Sequence, residues 1–231
     1  MGQAMSSRQK FLRNHPYCCF CGGSELATTR DHIPSRACFN KRNWPEGFEF
    51  PACEPCNSKT RDDEQWVAVL SRMLPNATAP NIDSETEKYF LGLANNSPDI
   101  LLGIKAVPFS DKSGAIFELP PQAKSATLKV FDRWARALHY RETHVIAKKD
   151  ARIFSEFIPN TELTVPAEIA MGTEHILARN GINLTHQARY ISYNESDDTS
   201  LGRYTWIFRN SFIAVMMVDI DGKCDWPDFN N

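Results

Sequence analysis

The sequence predicts an α+β protein in which a small zinc-stapled ββα finger precedes a larger α+β domain with an antiparallel sheet. Three observations carry this prediction. Two Cys-x-x-Cys pairs lie between residues 18 and 56, and an amphipathic helical pattern runs over residues 125–140. Short β-branched and aromatic runs then alternate with turn residues toward the end of the chain, which is typical of antiparallel strands.

The cysteine pairs predict a structural zinc site. Cys18 and Cys21 form the first pair, and Cys53 and Cys56 form the second. Two such pairs, separated by a few tens of residues, are typical of a tetrahedral four-thiolate Zn²⁺ site with each pair on one hairpin-like knuckle. The other three of the seven cysteines are expected to be free thiols in a reducing cytoplasm: Cys19, Cys38 and Cys224.

The segment between the pairs predicts a hairpin, and the segment after them predicts a helix. Residues 24–29 predict a short strand that delivers Asp31 and His32 at its end, residues 35–48 a loop, and residues 48–52 a second strand. After Cys56 the apolar residues follow helical spacing until a proline: Val67, Leu70, Leu74 and Pro75. So small a ββα unit has little core of its own, and a zinc staple explains how it stays folded.

The remaining chain divides into two further segments. Residues 1–74 hold the finger, residues 75–121 predict a proline-rich connector with one short helix, and residues 122–231 predict the α+β domain. The connector helix begins at the capping-box pattern Ser84-Glu85-Thr86-Glu87.

The last segment predicts two helices and a set of strands. The first helix covers 125–140, with a stripe of basic residues expected on a solvated face: Lys129, Arg133 and Arg136. A second helix is expected to begin at Thr164-Val165-Pro166 and to end at Gly181. The predicted strands are 189–193, 203–209 and 212–218, with a tight hairpin at Asn210-Ser211 joining the last two.

Composition limits the class of protein. No apolar stretch approaches the ~20 residues that a membrane span requires, and residues 1–10 lack the apolar region of a secretory signal, so a cytoplasmic protein is expected. The net charge is −2, but residues 8–42 and 124–152 are each locally basic. Local basic surfaces of this kind can hold phosphate groups while the acidic remainder keeps the protein soluble.

Residues 18–60 resemble the HNH endonuclease family, whose ββα-metal or His-Me finger often carries a four-cysteine zinc staple. The resemblance rests on a combined signature: the first cysteine pair, the Asp31-His32-Ile33-Pro34 run, and the second pair followed at once by Asn57. It implies that His32 is the general base and that Asp31 and Asn57 hold a catalytic divalent cation.

The residue types suit these implied roles. An imidazole with an ordinary pKa of about 6.5 accepts a proton from water at neutral pH. The carboxylate of Asp31 and the amide oxygen of Asn57 form a weak oxygen site that leaves positions open for phosphate and water. Mg²⁺ suits such a site, and Mn²⁺ is expected to serve as well.

The sequence departs from the family pattern in two places. Many members carry a middle Asn before the second knuckle, where this chain has Phe48-Glu49-Phe50. Many also carry a basic residue three positions after the last Asn, where this chain has Thr60 between Lys59 and Arg61. Lys59 and Arg61, together with Arg30, are therefore the candidates for phosphate contact.

Three functions stay open at this stage. The first is a metal-dependent endonuclease acting on double-stranded DNA, in which a double-strand break requires either a homodimer or two independent nicks. The second is a catalytically silent zinc finger that binds nucleic acid or a partner, and the third is an HNH-type nuclease acting on RNA. Structural alternatives also remain for single residues: Asn57 as a helix cap, and Asp62, Asp63 and Glu64 as acids that favour a helix N-terminus.

Overall fold

The computed structural model of the chain describes residues 5–72, 84–108, 115–159, 167–194, 198–208 and 211–224. The helices are α1 (Ser7–Asn14), α2 (Glu54–Lys59), α3 (Arg61–Leu70), α4 (Ser84–Asn96), α5 (Pro98–Leu102), α6 (Pro121–Thr143) and α7 (Ala167–Ala170). The strands are β1 (Thr29–His32), β2 (Glu49–Ala52), β3 (Lys105–Pro108), β4 (Ala115–Glu118), β5 (Arg152–Pro159), β6 (Thr173–His175), β7 (Ala178–Arg179), β8 (Ile182–Asn183), β9 (Ala188–Asn194), β10 (Leu201–Phe208) and β11 (Phe212–Asp219). None of these helices combines the length and the hydropathy that crossing a membrane requires.

The first part of the chain has the expected ββα order. β1 and β2 pair antiparallel, with His32 opposite Glu49. α2 follows β2 directly, with Cys53 as its N-cap and Pro55 in its first turn, where a missing amide N–H costs no helical hydrogen bond. The first strand covers Thr29–His32 and not the predicted 24–29, so Asp31 lies within the strand. Residues 35–48 contain two short 3₁₀ turns, Arg36–Cys38 and Asn40–Arg42.

The second part is built on a five-stranded antiparallel sheet with strand order β5-β11-β10-β9-β6. Along β11, alternate residues face opposite sides of the sheet. Phe212, Ala214 and Met216 join the main core, whereas Ile213 and Val215 join a smaller cluster on the other face. The strands predicted at 189–193, 203–209 and 212–218 and the α+β class are confirmed; residues 209–210, and with them Asn210 of the expected hairpin, lie outside the described residues.

The second helix expected between residues 164 and 181 is wrong over its described part. α7 has four residues, and β6, β7 and β8 follow it. Asn180 and Gly181 have φ values of 48° and 77° and form the turn between β7 and β8. Asn-Gly is favoured in two-residue hairpin turns because both central residues adopt positive φ there. Gly181 therefore serves a hairpin and ends no helix; residues 164–166 lie outside the described residues.

The finger and the sheet share one hydrophobic core. The ring of Phe48 lies 5.1 Å from Trp206 and 5.3 Å from Tyr190, centroid to centroid. Trp66 on α3 donates a hydrogen bond of 3.0 Å to Thr127 on α6. The segment predicted as a connector contributes α4, α5 and the β3–β4 pair, and not only one short helix. The division of the chain at residues 74 and 121 stays a prediction, and the core runs across both boundaries.

Candidate active site

The four predicted zinc ligands lie together. The Sγ atoms of Cys18, Cys21, Cys53 and Cys56 are all within 4.8 Å of one another. A tetrahedral ion with Zn–S bonds of about 2.3 Å places its sulfur ligands about 3.8 Å apart, so the cluster fits a structural metal ion. Burial raises the pKa of the thiols of Cys18 and Cys56, so a bound metal must displace their protons.

The first knuckle is held by a tight glycine turn. The amide N–H of Cys18 donates to the carbonyl of Glu25 (2.9 Å), and that of Gly23 donates to the carbonyl of Cys18 (3.1 Å). Gly22 has φ +73°, and a Cβ there would lie 2.6 Å from the amide nitrogen of Lys149. Cys19 is fully buried and lies outside the sulfur cluster, as the two-residue spacing predicts.

The carboxylate of Asp31 is held from two sides. Its Oδ1 accepts a hydrogen bond of 2.8 Å from the amide N–H of His32, and its Oδ2 accepts from both Nε and Nη2 of Arg133 on α6. The same guanidinium donates through Nη1 to the carbonyl of Cys56 and lies 3.8 Å from the centroid of the Phe20 ring. Arg133 thus joins Asp31 to the residue that directly precedes Asn57.

The expectation of a solvated Lys129, Arg133 and Arg136 face on α6 is wrong for Arg133. The Arg133 side chain is only 6% exposed, because α6 packs against α3 as well as against the sheet and so buries more than one face. Arg136 is half-buried and donates to the carbonyls of Ala147, Lys148 and Lys149. Lys129 is exposed as expected.

Glu64 supplies a second carboxylate beside Arg133. Its Oε1 lies 3.7 Å from Nε of Arg133 and accepts a hydrogen bond of 2.9 Å from the hydroxyl of Thr60. Burial raises the pKa of Glu64 to about 7, and the nearby charge of Asp31 acts in the same direction. Glu64 therefore does more than favour the N-terminus of α3, which was the sequence interpretation of this acidic run.

The imidazole of His32 contacts both a carboxylate and a guanidinium. Its Nε2 is 3.3 Å from Oε1 of Glu49, the residue opposite on β2, and 2.8 Å from Nη2 of Arg36. The indole of Trp44 meets the imidazole edge to face, with centroids 4.8 Å apart. Burial, and then the charge of Arg36, lowers the pKa of His32 to about 4, so the ring is neutral at pH 7.

The other predicted residues lie around this pair. Arg30 donates a hydrogen bond of 2.9 Å to Oε2 of Glu49. Asn57 is half-buried inside α2 and is not its N-cap, which is Cys53, so the cap interpretation of Asn57 is wrong. Lys59 and Arg61 are exposed on either side of Thr60, where α2 meets α3.

Sequence reasoning missed four residues that contact the predicted ones, namely Arg36, Trp44, Glu49 and Arg133. It also missed Glu64, which contacts Arg133, and Arg179, which contacts Trp44. Glu49 had a partial signal, because it lies in the predicted second strand, but it is opposite His32 only because β1 covers Thr29–His32 and not the predicted 24–29. Arg133 had none, since 102 residues separate it from Asp31 and its type matches a solvated helix face.

Comparison of the chain with protein-family models, with curated proteins and with solved structures finds no match. The assignment of a function therefore depends on the chemistry of the residues described above. Two parts of that chemistry matter most: the sulfur cluster that links β1–β2 to α2, and the neighbouring Asp31 and His32 on β1.

Proposed function

We propose that this protein is a metal-dependent endonuclease of the HNH type that hydrolyses phosphodiester bonds in double-stranded DNA. One observation carries the proposal. A strand bearing Asp31 and His32 pairs with a second strand, and a four-cysteine cluster ties both to a helix bearing Asn57. A finger that serves only to bind zinc needs none of these three residues.

The donor set suits a hard divalent cation such as Mg²⁺ or Mn²⁺. A carboxylate has about four lone pairs, and Asp31 uses three of them with Arg133 and His32, so Oδ1 keeps one lone pair for a cation. The amide oxygen of Asn57 is the second protein ligand in this proposal. Such an ion, when bound, would neutralise charge on the phosphate and on the leaving oxygen.

His32 is the proposed general base, and Glu49 is the residue that positions it. The guanidinium of Arg36 can only donate, so its 2.8 Å contact makes Nε2 the acceptor and places the ring hydrogen of His32 on Nδ1. The lone pair on Nε2 is then the one that accepts a proton from water when Arg36 turns away, and the N–H formed there lies 3.3 Å from Oε1 of Glu49. A carboxylate that orients an imidazole in this way also stabilises the imidazolium that forms. Glu49 lies in the stretch before the second cysteine pair in which many members of the HNH family carry an Asn.

Arg133 and Glu64 position the metal-binding side of the site. Two bonds from Arg133 fix the direction of the Asp31 carboxylate, and the bond to the Cys56 carbonyl ties α2 to the same guanidinium. The charge of Arg133 lowers the affinity of the site for a cation, and the carboxylate of Glu64 offsets part of this effect. Because three of the lone pairs of Asp31 are already used, these contacts also favour the second candidate, a finger that binds nucleic acid without cutting it.

The test is conversion of supercoiled plasmid by wild type and by His32→Ala, with Mg²⁺, with Mn²⁺ and with EDTA. His186→Ala is the matched control, because His186 is an exposed histidine. We expect wild type and the control to nick or linearise DNA with either metal, and His32→Ala to lose at least 100-fold in rate, the low end of what a general base contributes. Zinc content is measured in every sample, since EDTA also competes for zinc.

Each result decides between the candidate functions. Cleavage by His32→Ala at the wild-type rate would show that His32 is not the general base. Binding of DNA without cleavage in any metal would favour the silent finger, and cleavage of an RNA panel alone would favour the RNA nuclease. Linear product formed without a nicked intermediate would indicate a homodimer.

A further inference from the structure

Two arginines, Arg36 and Arg179, lie beside His32 on the side of Trp44. The guanidinium carbon of Arg36 lies 4.0 Å from the centroid of the Trp44 ring, and that of Arg179 lies 3.5 Å from the same centroid. Trp44 also contacts the His32 ring. Two cations therefore share one indole at the edge of the proposed catalytic base.

The second arginine reaches this position through a built contact. Arg179 lies at the end of β7, in the hairpin with the Asn180-Gly181 turn. The amide N–H of Glu46 donates to the carbonyl of Ala178 (3.0 Å), and the amide N–H of Asn180 donates to Oε1 of Glu46 (2.9 Å). Arg179 itself donates to the carbonyl of Trp44 at 3.4 Å. Backbone hydrogen bonds thus dock the hairpin on the loop before β2.

These two arginines carry more positive charge than their neighbours balance. The nearby carboxylate is that of Glu49, whose charge acts on Arg36 but whose oxygens contact Arg30 and His32. Over the described residues, no carboxylate oxygen lies within 4.0 Å of a guanidinium nitrogen of Arg36 or Arg179. Burial lowers the pKa of the Arg36 guanidinium, and the charges of Arg42, Arg179 and Arg30 act in the same direction. Holding like charges together in this way costs free energy that a bound anion would recover.

We propose that Arg36 and Arg179, stacked on Trp44, form a site for a backbone phosphate of the polynucleotide next to the phosphodiester bond that the water activated by His32 attacks. This inference rests on the proposed function and adds a phosphate contact to the earlier candidates Arg30, Lys59 and Arg61. A planar guanidinium donates two parallel hydrogen bonds to phosphate oxygens, and stacking on an indole fixes its orientation beforehand. Both side chains are partly exposed, so a phosphate can reach them.

The experiment compares duplex binding by wild type and by Arg179→Gln in buffer without added divalent cation. A short labelled DNA duplex is titrated at several salt concentrations, and an RNA duplex of the same sequence forms a second arm. The matched control is Arg203→Gln, because Arg203 also lies over an aromatic ring, 5.3 Å from the centroid of Tyr193, and also donates to a carbonyl, that of Met171.

We expect Arg179→Gln to weaken DNA binding about 5- to 10-fold and to lower the slope of log Kd against log salt by about 1, the signature of one lost phosphate contact. Arg203→Gln should match wild type in both quantities. Arg179→Lys keeps the charge and the hairpin, so it should keep the salt slope. This variant separates a lost phosphate contact from a misfolded hairpin.

The outcomes for this site and for the proposed function are distinct. Equal salt slopes for Arg179→Gln and wild type would overturn the phosphate site even if wild type cuts DNA. A reduced slope in a protein that does not cleave DNA in any metal would support the phosphate site and overturn the nuclease. A reduced slope on RNA alone would keep the phosphate site and reassign the polynucleotide to RNA.

Discussion

At the scale of single residues, Arg133 is a buried cation that lies beside two carboxylates, those of Asp31 and Glu64. Its side chain is 6% exposed, and that of Asp31 is 13% exposed. Desolvating such a pair costs several kcal/mol, and the attraction in the interior offsets the cost only when the hydrogen bonds are complete. Each of the three guanidinium nitrogens of Arg133 has an acceptor: Nε and Nη2 donate to Asp31, and Nη1 donates to the carbonyl of Cys56.

At the scale of single residues we expect Arg133→Met to destabilise the protein by about 3–5 kcal/mol, because it leaves the buried carboxylate of Asp31 without its cation. A double-mutant cycle with Asp31→Asn should give a coupling energy of about 1.5 kcal/mol or more. Urea unfolding at constant zinc concentration measures both quantities.

The control for this cycle is the exposed pair of Arg189 and Glu174. These side chains are 40% and 43% exposed and form two bonds of 2.6 Å. Because water screens the pair, its coupling energy should be about 0–1 kcal/mol. If the buried cycle gives no more than the exposed one, Arg133 is not the residue that holds Asp31.

At the scale of elements, β1, β2 and α2 are short and depend on the sulfur cluster for their arrangement. Cys53 directly follows β2 and is the N-cap of α2, while Cys18 and Cys21 anchor the turn that leads toward β1. Structural zinc sites in small fingers contribute about 10–16 kcal/mol of binding free energy, which is folding free energy when the apo finger is disordered.

On the proposal that the sulfur cluster holds zinc, we expect Cys56→Ser to lose the metal and the amide protection of residues 18–57. Cys224→Ser is the control, since Cys224 is a thiol outside the sulfur cluster. Zinc analysis and hydrogen–deuterium exchange are the measurements. Retention of one zinc per chain by Cys56→Ser would show that this cysteine is not a ligand.

Elements with a local signal were predictable, and those with a long-range cause were not. Each Cys-x-x-Cys pair is a pattern of a few neighbouring residues, and so is each of the strand patterns at 189–193 and 212–218. The sequence alone therefore indicates them. Gly181 had two local explanations, a helix end and a hairpin turn, and the neighbouring Asn180 favours the second. The catalytic assignment of His32 stays a prediction.

At the scale of the whole molecule, the shared core makes its stability depend on buried groups far from the finger. His139 on α6 is fully buried, and its Nδ1 lies 2.9 Å from the hydroxyl of Tyr204 on β10. Burial lowers the pKa of His139 to about 4. Between pH 4 and about 6.5 the unfolded chain therefore binds more protons than the folded one, and stability falls as pH falls through this window.

From pH 8 to pH 5 this single group should cost about 2 kcal/mol of unfolding free energy. We expect His139→Phe to flatten the pH dependence by that amount, although the variant is less stable because it loses the contact with Tyr204. Chemical unfolding at several pH values measures the difference. His186→Phe, at an exposed position, should keep the wild-type dependence of unfolding free energy on pH. The pKa of His32 is also lowered, but His32 is present in every protein compared and so adds the same dependence to each.

The bond between Arg133 and Asp31 also sets an order of events during synthesis. A ribosome makes the amino-terminal part first, and these two residues are 102 positions apart. At a synthesis rate of about 5–20 residues per second, Asp31 waits roughly 5–20 s for its arginine. On the proposed function, a nascent chain, or one that terminates before residue 133, therefore has a catalytic site that is not yet assembled.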